Sequence, residues 1–206
     1  METYKQILLY NRSWAQAKRN TDSEYFKRLS ISQNPLYLWI GCSDSRVPAE
    51  EITGANPGDF FVHRNIANIA NANDPNFLSV LKYAVDFLKV KHVVVCGHHG
   101  CGGCTAAIND LQDEHLTPWI KEIRDTYLEN IEDINKHKEE CHRVDNLAEL
   151  NVFKQVDGLS KNPIIRDAWK RGQEVFIHGW IFNLRTGEID SLKEIAPNKI
   201  PEEWRK

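Results

Sequence analysis

The sequence lacks the long apolar runs and the basic stretches that mark several classes of protein. No segment approaches the roughly 18 consecutive uncharged apolar residues that a membrane-spanning helix needs. The net charge is −3 and the lysines and arginines form no basic stripe, so a nucleic acid is not an expected partner. We therefore expect a protein without a membrane segment and without a nucleic-acid ligand.

Cysteine is scarce, and the N-terminus has none of the features of a secretory signal. There are five cysteines, an odd number, and their spacing is not that of a small disulfide framework. The first residues, METYK, contain no apolar core of a signal peptide. Free thiols without such a signal are typical of a reducing compartment. We expect a cytoplasmic protein, or one of an organelle matrix if a transit peptide has been removed.

The length and composition are those of one globular domain. The 206 residues are 41% apolar and 27% charged, enough to bury a sizeable core, and no internal repeat, low-complexity segment or linker is visible. Residues 6–27 show a loose helical periodicity and include Trp14 and Phe26. We predict an N-terminal helical arm over residues 1–34, packed on a partner subunit or on its own chain, followed by a core over residues 35–206.

Apolar runs typical of buried strands alternate with helical periodicities along most of this core. The runs cover residues 36–40, 60–64, 91–97 and 174–180. Asp74-Pro75 and Asn162-Pro163 have the pattern of helix starts. This alternation predicts an α/β fold with a mainly parallel sheet flanked by helices on both faces. Sheets of this kind place their ligands at the carboxyl ends of the strands.

Two short motifs follow predicted strands and carry the chemistry. Residues 42–46 read CSDSR and residues 98–103 read HHGCGG. The thiols of Cys42 and Cys101 and the imidazole of His98 are ligands that zinc prefers, and three of them leave a fourth tetrahedral position open. A water at an open position would have a lowered pKa and could supply hydroxide to a small electrophile near neutral pH.

Other cysteines and histidines compete for a place at this site. His99 directly follows a candidate ligand, so its side chain is expected to point away, and Cys96 lies inside a strand and is expected in the core. Cys104 could close the coordination sphere and make the site structural, although the preceding glycines are expected to turn it into a helix. The pair at residues 141–142, Cys-His, lies in a charged stretch and is expected to be incidental.

Asp44 and Arg46 are the candidate catalytic pair beside the metal. A neighbouring guanidinium keeps a carboxylate ionised, and its lone pairs could accept a proton or a hydrogen bond from a metal-bound water. The alternative is a simple turn with a surface ion pair. A carboxylate that could replace the water would also allow the site to be switched off.

These residues resemble those of the β-class carbonic anhydrases. The match consists of the CSDSR and HHGCGG motifs at the separation found in that family, with further agreement at residues 61–65, 82–84 and 178–180. The resemblance covers nearly the whole chain. It implies reversible hydration of carbon dioxide to bicarbonate and a proton, by attack of zinc-bound hydroxide on CO2, on a parallel sheet with helices on both sides.

The resemblance also implies specific roles for residues of this chain. Cys42, His98 and Cys101 would hold one Zn²⁺ per subunit, with Asp44 and Arg46 as the pair beside it. The implied CO2 pocket is lined by Gln33, Phe61, Ile66, Tyr83 and the backbone of Gly102 and Gly103. The unit would be a homodimer whose N-terminal helices clasp the partner, or a homotetramer.

A subset of the family has a closed form with a regulatory bicarbonate pocket. Two of the three residues that mark this subset are present here, Trp39 and Arg64, but the third position is Phe182, which lacks a tyrosine hydroxyl. Because a buried anion loses affinity when a donor is removed, we expect weaker bicarbonate inhibition than in a member that has all three.

Two other classes of function stay open from the residues alone. One is a structural-zinc or thiol-redox protein that uses Cys101 and Cys104, which would leave Asp44 and Arg46 without a role. The other is a hydrolase of a CO2-like substrate, such as carbon disulfide or carbonyl sulfide, on the same scaffold.

Overall fold

The computed structural model describes residues 3–199 and 201, and the chain forms two compact units, Met1–Asn34 and Pro35–Lys206. The first unit consists of α1 (Thr3–Thr21) and α2 (Tyr25–Ile31). Trp14 of α1 packs edge-on against Phe26 of α2, with ring centroids 5.5 Å apart. No residue of either helix is buried. Packing of this arm on a partner subunit stays a prediction.

The second unit contains the strands and the remaining helices. The strands are β1 (Tyr37–Cys42), β2 (Phe60–Asn65), β3 (His92–His98), β4 (Phe176–Asn183) and β5 (Glu188–Ile195). The helices are α3 (Ala49–Thr53), α4 (Pro75–Lys82), α5 (Gly102–Ile108), α6 (Leu116–Glu129), α7 (Ile131–Ile134), α8 (Glu140–Lys161) and α9 (Pro163–Lys170). A 3₁₀ turn (Ile66–Asn68) follows β2, and a π-helical turn (Tyr83–Phe87) continues α4. Within the described ranges no helix combines the length and the apolarity needed to cross a membrane.

Two helices begin as their Asx-Pro pairs predict. The side chain of Asp74 accepts a hydrogen bond of 2.9 Å from the backbone N–H of Asn76 at the start of α4. Asn162 does the same for the N–H of Ile164 at the start of α9, at 3.0 Å. In both helices proline fills the first turn, where a missing N–H costs nothing. Each cap therefore satisfies one of the backbone donors that have no intrahelical partner.

The sheet has the strand order β2-β1-β3-β4-β5. The pairs β1–β2, β1–β3 and β3–β4 are parallel, and β5 runs antiparallel to β4 in a hairpin at the edge of the sheet. Gly41 of β1 lies opposite Cys96 of β3. Since both strands run the same way, Cys42 and His98 leave the sheet at the same edge, which explains how the two motifs meet.

The two faces of the sheet are covered unequally. Successive strand residues point to opposite faces, and the face that carries Leu38 and Val93 packs into one large cluster with residues of α4 to α9. The opposite face carries Trp39 and Val94 in a smaller cluster, to which the five-residue α3 contributes Ala49 and the partly buried Ile52. Helices thus flank a mostly parallel sheet, which confirms the predicted α/β fold.

Helix α8 lies unusually close to the sheet. A Cβ atom on Gly97 of β3 would be 2.7 Å from the side chain of Val152, and one on Gly179 of β4 would be 2.9 Å from the same valine. Both distances are too short for real carbon contacts, so glycine at these two positions permits the close approach. As a result α8 passes directly beneath the carboxyl end of β3, where the HHGCGG motif begins.

Candidate metal centre and active site

Three buried side chains converge at the carboxyl edge of the sheet. Cys42 is the last residue of β1, His98 is the last residue of β3, and Cys101 directly precedes α5. Their sulfur and nitrogen ligand atoms all lie within 4.8 Å of one another. Because zinc binds sulfur at about 2.3 Å and imidazole nitrogen at about 2.0 Å, donors this close can share one ion. The structure brings together the three ligands that the sequence predicted.

The ring of His98 is oriented for a metal. Its Nδ1 lies 2.9 Å from the backbone carbonyl of His99, which accepts the Nδ1–H. In the neutral ring this leaves Nε2 unprotonated, and that atom is buried with no hydrogen-bond partner among the described residues. A buried polar atom without a partner is costly, and a metal ion held by the neighbouring thiols would satisfy it. The residues present therefore fit the metal that the family resemblance implies.

The two thiols resist ionisation when no cation is beside them. The neighbouring Cys101 thiol and burial raise the pKa of Cys42 to about 12. The neighbouring Cys104 thiol, together with burial, raises the pKa of Cys101 to about 12. A divalent cation reverses this preference because thiolates are its ligands. Metal binding at this site must release protons, and it must weaken as the pH falls.

A strained segment lies beside Cys42, in the 3₁₀ turn that follows the neighbouring strand β2. The backbone N–H of Ala67 points at the sulfur of Cys42 at 3.4 Å. Ala67 and Asn68 have φ values of +63° and +49°, a left-handed conformation that residues with a Cβ rarely adopt. Asn151 of α8 donates a hydrogen bond of 2.9 Å to the Ala67 carbonyl. The surrounding contacts thus hold this segment in a conformation that aims an N–H at a ligand sulfur.

Asp44 and Arg46 form a tight pair beside the three ligands. Oδ1 of Asp44 accepts hydrogen bonds from the backbone N–H and the Nε–H of Arg46, at 2.9 and 3.0 Å, and Oδ2 accepts one from its Nη2 at 2.7 Å. The guanidinium holds the pKa of Asp44 well below its usual range. Oδ2 also lies 3.8 Å from Nε2 of His98. An ionised carboxylate therefore stands next to the ligand group, held by a largely exposed arginine.

The residues of the expected regulatory pocket have other contacts here. Arg64 donates hydrogen bonds to the backbone carbonyls of Cys42 and Asp44, at 2.9 and 2.6 Å. Trp39 is fully buried, and its indole N–H has no acceptor in the described part of the chain. Phe182 is buried in the same small cluster as Trp39. Weakened bicarbonate inhibition stays a prediction.

A mostly apolar cavity of about 340 Å³ adjoins the ligands. It is lined by Cys42, Ser43, Asp44, Ile66, Gly102, Gly103, Ala106, Leu116 and Ile120. Three of the predicted pocket residues, Ile66, Gly102 and Gly103, are among them. Ala106, Leu116 and Ile120 were not predicted, because the packing of α6 on α5 has no signal in a single sequence.

Two of the other predicted pocket residues, Phe61 and Tyr83, are not among the residues that line this cavity. Phe61 and Tyr83 pack against each other with ring centroids 5.7 Å apart, and Tyr83 also stacks on Phe87. Gln33 belongs to the first unit. The contribution of these three residues to a CO2 pocket stays a prediction.

Gly103 allows the start of α5 to reach the cavity wall. A Cβ at this position would lie 2.9 Å from the Cβ of Ala67 and 3.1 Å from a methyl group of Ile66. Any larger residue would push α5 away from the 3₁₀ turn. The glycine therefore keeps the helix start, and Cys101 before it, close to Cys42.

The competing cysteines and histidines fall outside the ligand group. Cys96 is fully buried in the core, as predicted, and His99 points away, with Nε2 3.0 Å from Glu149 of α8. Cys104 is buried in α5 and is not part of the group, and all five cysteines are free thiols. The thiol of Cys141 lies with Glu139 and His142 in a second set of ligand atoms within 4.8 Å of one another, but all three residues are exposed.

Four polar residues of α8 that the sequence did not single out also support the site. Asp145 and Glu149 contact residues 99–100, and Asn151 and Gln155 contact residues 67–70. Three of them, Asp145, Asn151 and Gln155, are buried. Polar residues on the apolar face of a predicted helix are the available signal, since buried polar groups are nearly always hydrogen-bonded to something specific.

A mainly parallel α/β fold with a buried Cys-His-Cys group and a small apolar cavity defines a class of metal-binding enzymes with a small substrate. The profile of the family described as carbonic anhydrase matches residues 37–189. A carbonic anhydrase of Emericella nidulans is 41% identical over 191 residues, which cover 93% of this chain and 84% of that protein.

Solved structures give the same result. A tetrameric β-carbonic anhydrase of Sordaria macrospora superposes with a TM-score of 0.91 at 40% identity, over 95% of this chain and 100% of that one. A Coccomyxa β-carbonic anhydrase in complex with acetazolamide gives a TM-score of 0.88 at 36% identity, over 95% and 89% of the two chains. The chain belongs to the family of β-class carbonic anhydrases, and it is an enzyme of that type.

Proposed function

We propose that this protein catalyses the zinc-dependent, reversible hydration of carbon dioxide to bicarbonate and a proton. The observation that carries the proposal is the buried set of Cys42, His98 and Cys101 donors with an ionised Asp44 beside it. Family membership supplies the substrate class. The pairing of Asp44 with Arg46 distinguishes this reading from a structural-zinc or redox protein, in which these residues have no use.

We infer that the metal is Zn²⁺, one ion per subunit. Two thiols and one imidazole are a donor set that suits zinc, and three protein ligands leave one position for water or substrate. When bound, zinc would supply a Lewis acid that lowers the pKa of water. Cys42 and Cys101 would hold it as thiolates, and His98 through Nε2.

The protein's own groups have defined tasks in this reaction. Asp44 is ionised and close to the ligands, so it can accept a hydrogen bond or a proton from the reacting water. Arg46 occupies both carboxylate oxygens from the solvent side and fixes their direction. The apolar wall formed by Ile66 and Ile120 suits an uncharged linear molecule such as CO2 and holds bulk water away from it.

The assembly is proposed to be a homodimer or a homotetramer. Tyr4, Ile7, Leu8 and Tyr10 of α1 are each more than half exposed, and a concentration of exposed large apolar side chains indicates an interaction site. The Sordaria macrospora relative is described as tetrameric. A second copy of the chain is therefore the proposed partner.

The proposed location is the cytoplasm. All five cysteines are free thiols, and free thiols are typical of a reducing compartment.

Stopped-flow hydration of CO2 on metal-analysed protein tests the function. We expect one zinc per chain and a rate that disappears with the metal on chelation and returns when zinc is restored. Protein that holds one zinc per chain but does not hydrate CO2 would contradict the proposal. Hydrolysis of carbon disulfide or carbonyl sulfide by the same sample would then identify the alternative substrate.

A further inference from the structure

Residues 98–101 form the metal-binding turn, since they begin and end with a predicted ligand. In this turn the peptide group between His99 and Gly100 has both of its polar atoms hydrogen-bonded. The carbonyl of His99 accepts the Nδ1–H of the ligand His98, at 2.9 Å. The N–H of Gly100 in the same peptide group donates to Oδ1 of Asp145 in α8, at 2.8 Å. Because a peptide group is planar and trans, its N–H and C=O point in opposite directions. Whatever fixes the N–H therefore also fixes the carbonyl that orients the ligand.

The carboxylate of Asp145 is itself held in place. The residue is 8% exposed, and Oδ2 accepts a hydrogen bond of 2.8 Å from Arg185 in the turn between β4 and β5. The backbone N–H of Arg185 is bonded in turn to the side chain of Asn183 at 2.9 Å. A buried carboxylate is stable only when it is paired and hydrogen-bonded, and both conditions are met here. Asp145 thus joins α8, the β4–β5 turn and the metal-binding turn.

Gly100 has no side chain with which to hold this turn. Its φ of +66° is left-handed, and a Cβ there would meet nothing within 4 Å. Gly100 therefore adds no side-chain contact of its own to the turn. The hydrogen bond from its N–H to Asp145 holds the turn between the two ligands His98 and Cys101, next to the bond from the His99 N–H to the Phe182 carbonyl at 3.0 Å.

We propose that Asp145 is a positioning residue for the metal, acting on His98 through the His99–Gly100 peptide group. A carboxylate that accepts the N–H polarises the peptide, and the carbonyl becomes a stronger acceptor for the imidazole. Carboxylates that bind a metal-ligating histidine directly orient the ring and raise its basicity. Here one peptide group is inserted between the carboxylate and the ring. The inference rests on the proposed metal site but not on the identity of the substrate.

The test measures metal retention, so it does not depend on activity. Asp145→Asn should increase the rate of zinc transfer to a chromophoric chelator by about tenfold, the lower end of the range for groups behind the ligands. The absorption bands of the Co²⁺-substituted protein should shift as well. Arg185→Gln leaves the contact between Asp145 and Gly100 in place and should change zinc loss by less. All variants carry Cys141→Ser, which removes the exposed thiol beside Glu139 and His142.

Asp157→Asn is the matched control. Asp157 also lies on α8 and also pairs with a cation of the β4–β5 hairpin, Lys193, at 2.6 Å. In the described part of the chain no hydrogen bond or ion pair joins its side chain to the metal-binding turn. The Asp157→Asn substitution should lower the melting temperature of the protein without changing the rate of zinc loss or the Co²⁺ spectrum. Equal zinc loss in the Asp145 and Asp157 variants, or wild-type behaviour of Asp145→Asn, would overturn the proposal.

If Asp145→Asn does not fold, Asp145→Glu keeps the charge but displaces the acceptor, and it should still lose zinc faster than the wild type; an unchanged rate would overturn the proposal. A wild-type protein that holds zinc tightly but does not hydrate CO2 would contradict the proposed function alone. Full CO2 hydration with zinc retention unaffected by Asp145→Asn would contradict the positioning role alone.

Discussion

The two halves of the metal site are built in opposite ways. The half formed by residues 98–101 has two buried ligands, His98 and Cys101, and it is tied to α8 by Asp145 and Glu149. The half formed by residues 42–46 ends in Arg46, whose side chain is 58% exposed. In the proposed reaction this difference would separate two tasks. Residues 98–101 would hold two ligands rigidly, and residues 42–46 would add to the third ligand, Cys42, a carboxylate that exchanges hydrogen-bond partners with substrate and solvent.

In both halves, backbone groups beyond the end of a strand are hydrogen-bonded to a charged side chain. Beyond the last residue of a parallel strand the backbone loses the hydrogen bonds of the ladder, and buried polar groups need other partners. Arg64 donates to the carbonyls of Cys42 and Asp44, while Asp145 accepts from the N–H of Gly100. In each half a charged side chain from a neighbouring element thus takes the place of a partner strand. The cationic side chain donates to carbonyls, and the anionic side chain accepts from an N–H.

The largest effect is expected in the half formed by residues 98–101. Cys101→Ser replaces a thiolate with a poor zinc ligand, so zinc should no longer be held at one ion per chain. CO2 hydration should fall by more than about a hundredfold, beyond the range for groups that only support ligands. Cys104→Ser, three residues further on and outside the ligand group, is the control and should keep its zinc. Stoichiometric zinc in Cys101→Ser would show that this half is not the rigid anchor.

A smaller effect, of a different kind, is expected in the half formed by residues 42–46. Asp44→Asn should keep its zinc but lower the hydration rate by about a hundredfold or more, the usual contribution of a positioned proton acceptor. Arg46 holds the pKa of Asp44 below its usual 3.8, so the wild-type carboxylate stays ionised at every pH above that value. The loss should therefore be the same across neutral and alkaline pH in stopped-flow measurements.

Ser45→Ala is the control for this substitution, since Ser45 is exposed and lies between the two paired residues. It should retain the wild-type rate. If Asp44→Asn lost its zinc together with its activity, the carboxylate would belong to the anchoring half, and the division between the two halves would fail.

The smallest effect is expected at Arg64. Arg64→Gln removes two hydrogen bonds to the carbonyls of Cys42 and Asp44 and should lower the free energy of unfolding by about 1 kcal/mol. Zinc loss should increase less than in Asp145→Asn, because no ligand ring depends on those two carbonyls. Urea unfolding and chelator transfer measure the two quantities. If Arg64→Gln lost zinc faster than Asp145→Asn, Arg64 would contribute more to zinc retention than Asp145, contrary to this prediction.

Much of the fold and of the ligand set could be predicted because the signals are local. Apolar runs predicted β1 to β4, Asx-Pro pairs predicted two helix starts, and the glycines before Cys104 indicated that this residue turns into a helix. The cavity was predicted only in part. Ile66, Gly102 and Gly103 line it, whereas Ile120 enters from α6, and the way α6 packs on α5 depends on side-chain contacts far apart in the chain.

The sequence alone determined which chemistry is present: two thiols, an imidazole and an ionised carboxylate at the ends of strands. The tertiary structure decided how these groups are held. It placed Asp145, 45 residues beyond Gly100, under the one peptide group that orients His98. Parallel pairing fixes which strand ends meet, and the alternation of strands and helices along the chain indicates such pairing. The partner of the Gly100 N–H, in contrast, is decided by the packing of α8 against Gly97 and Gly179.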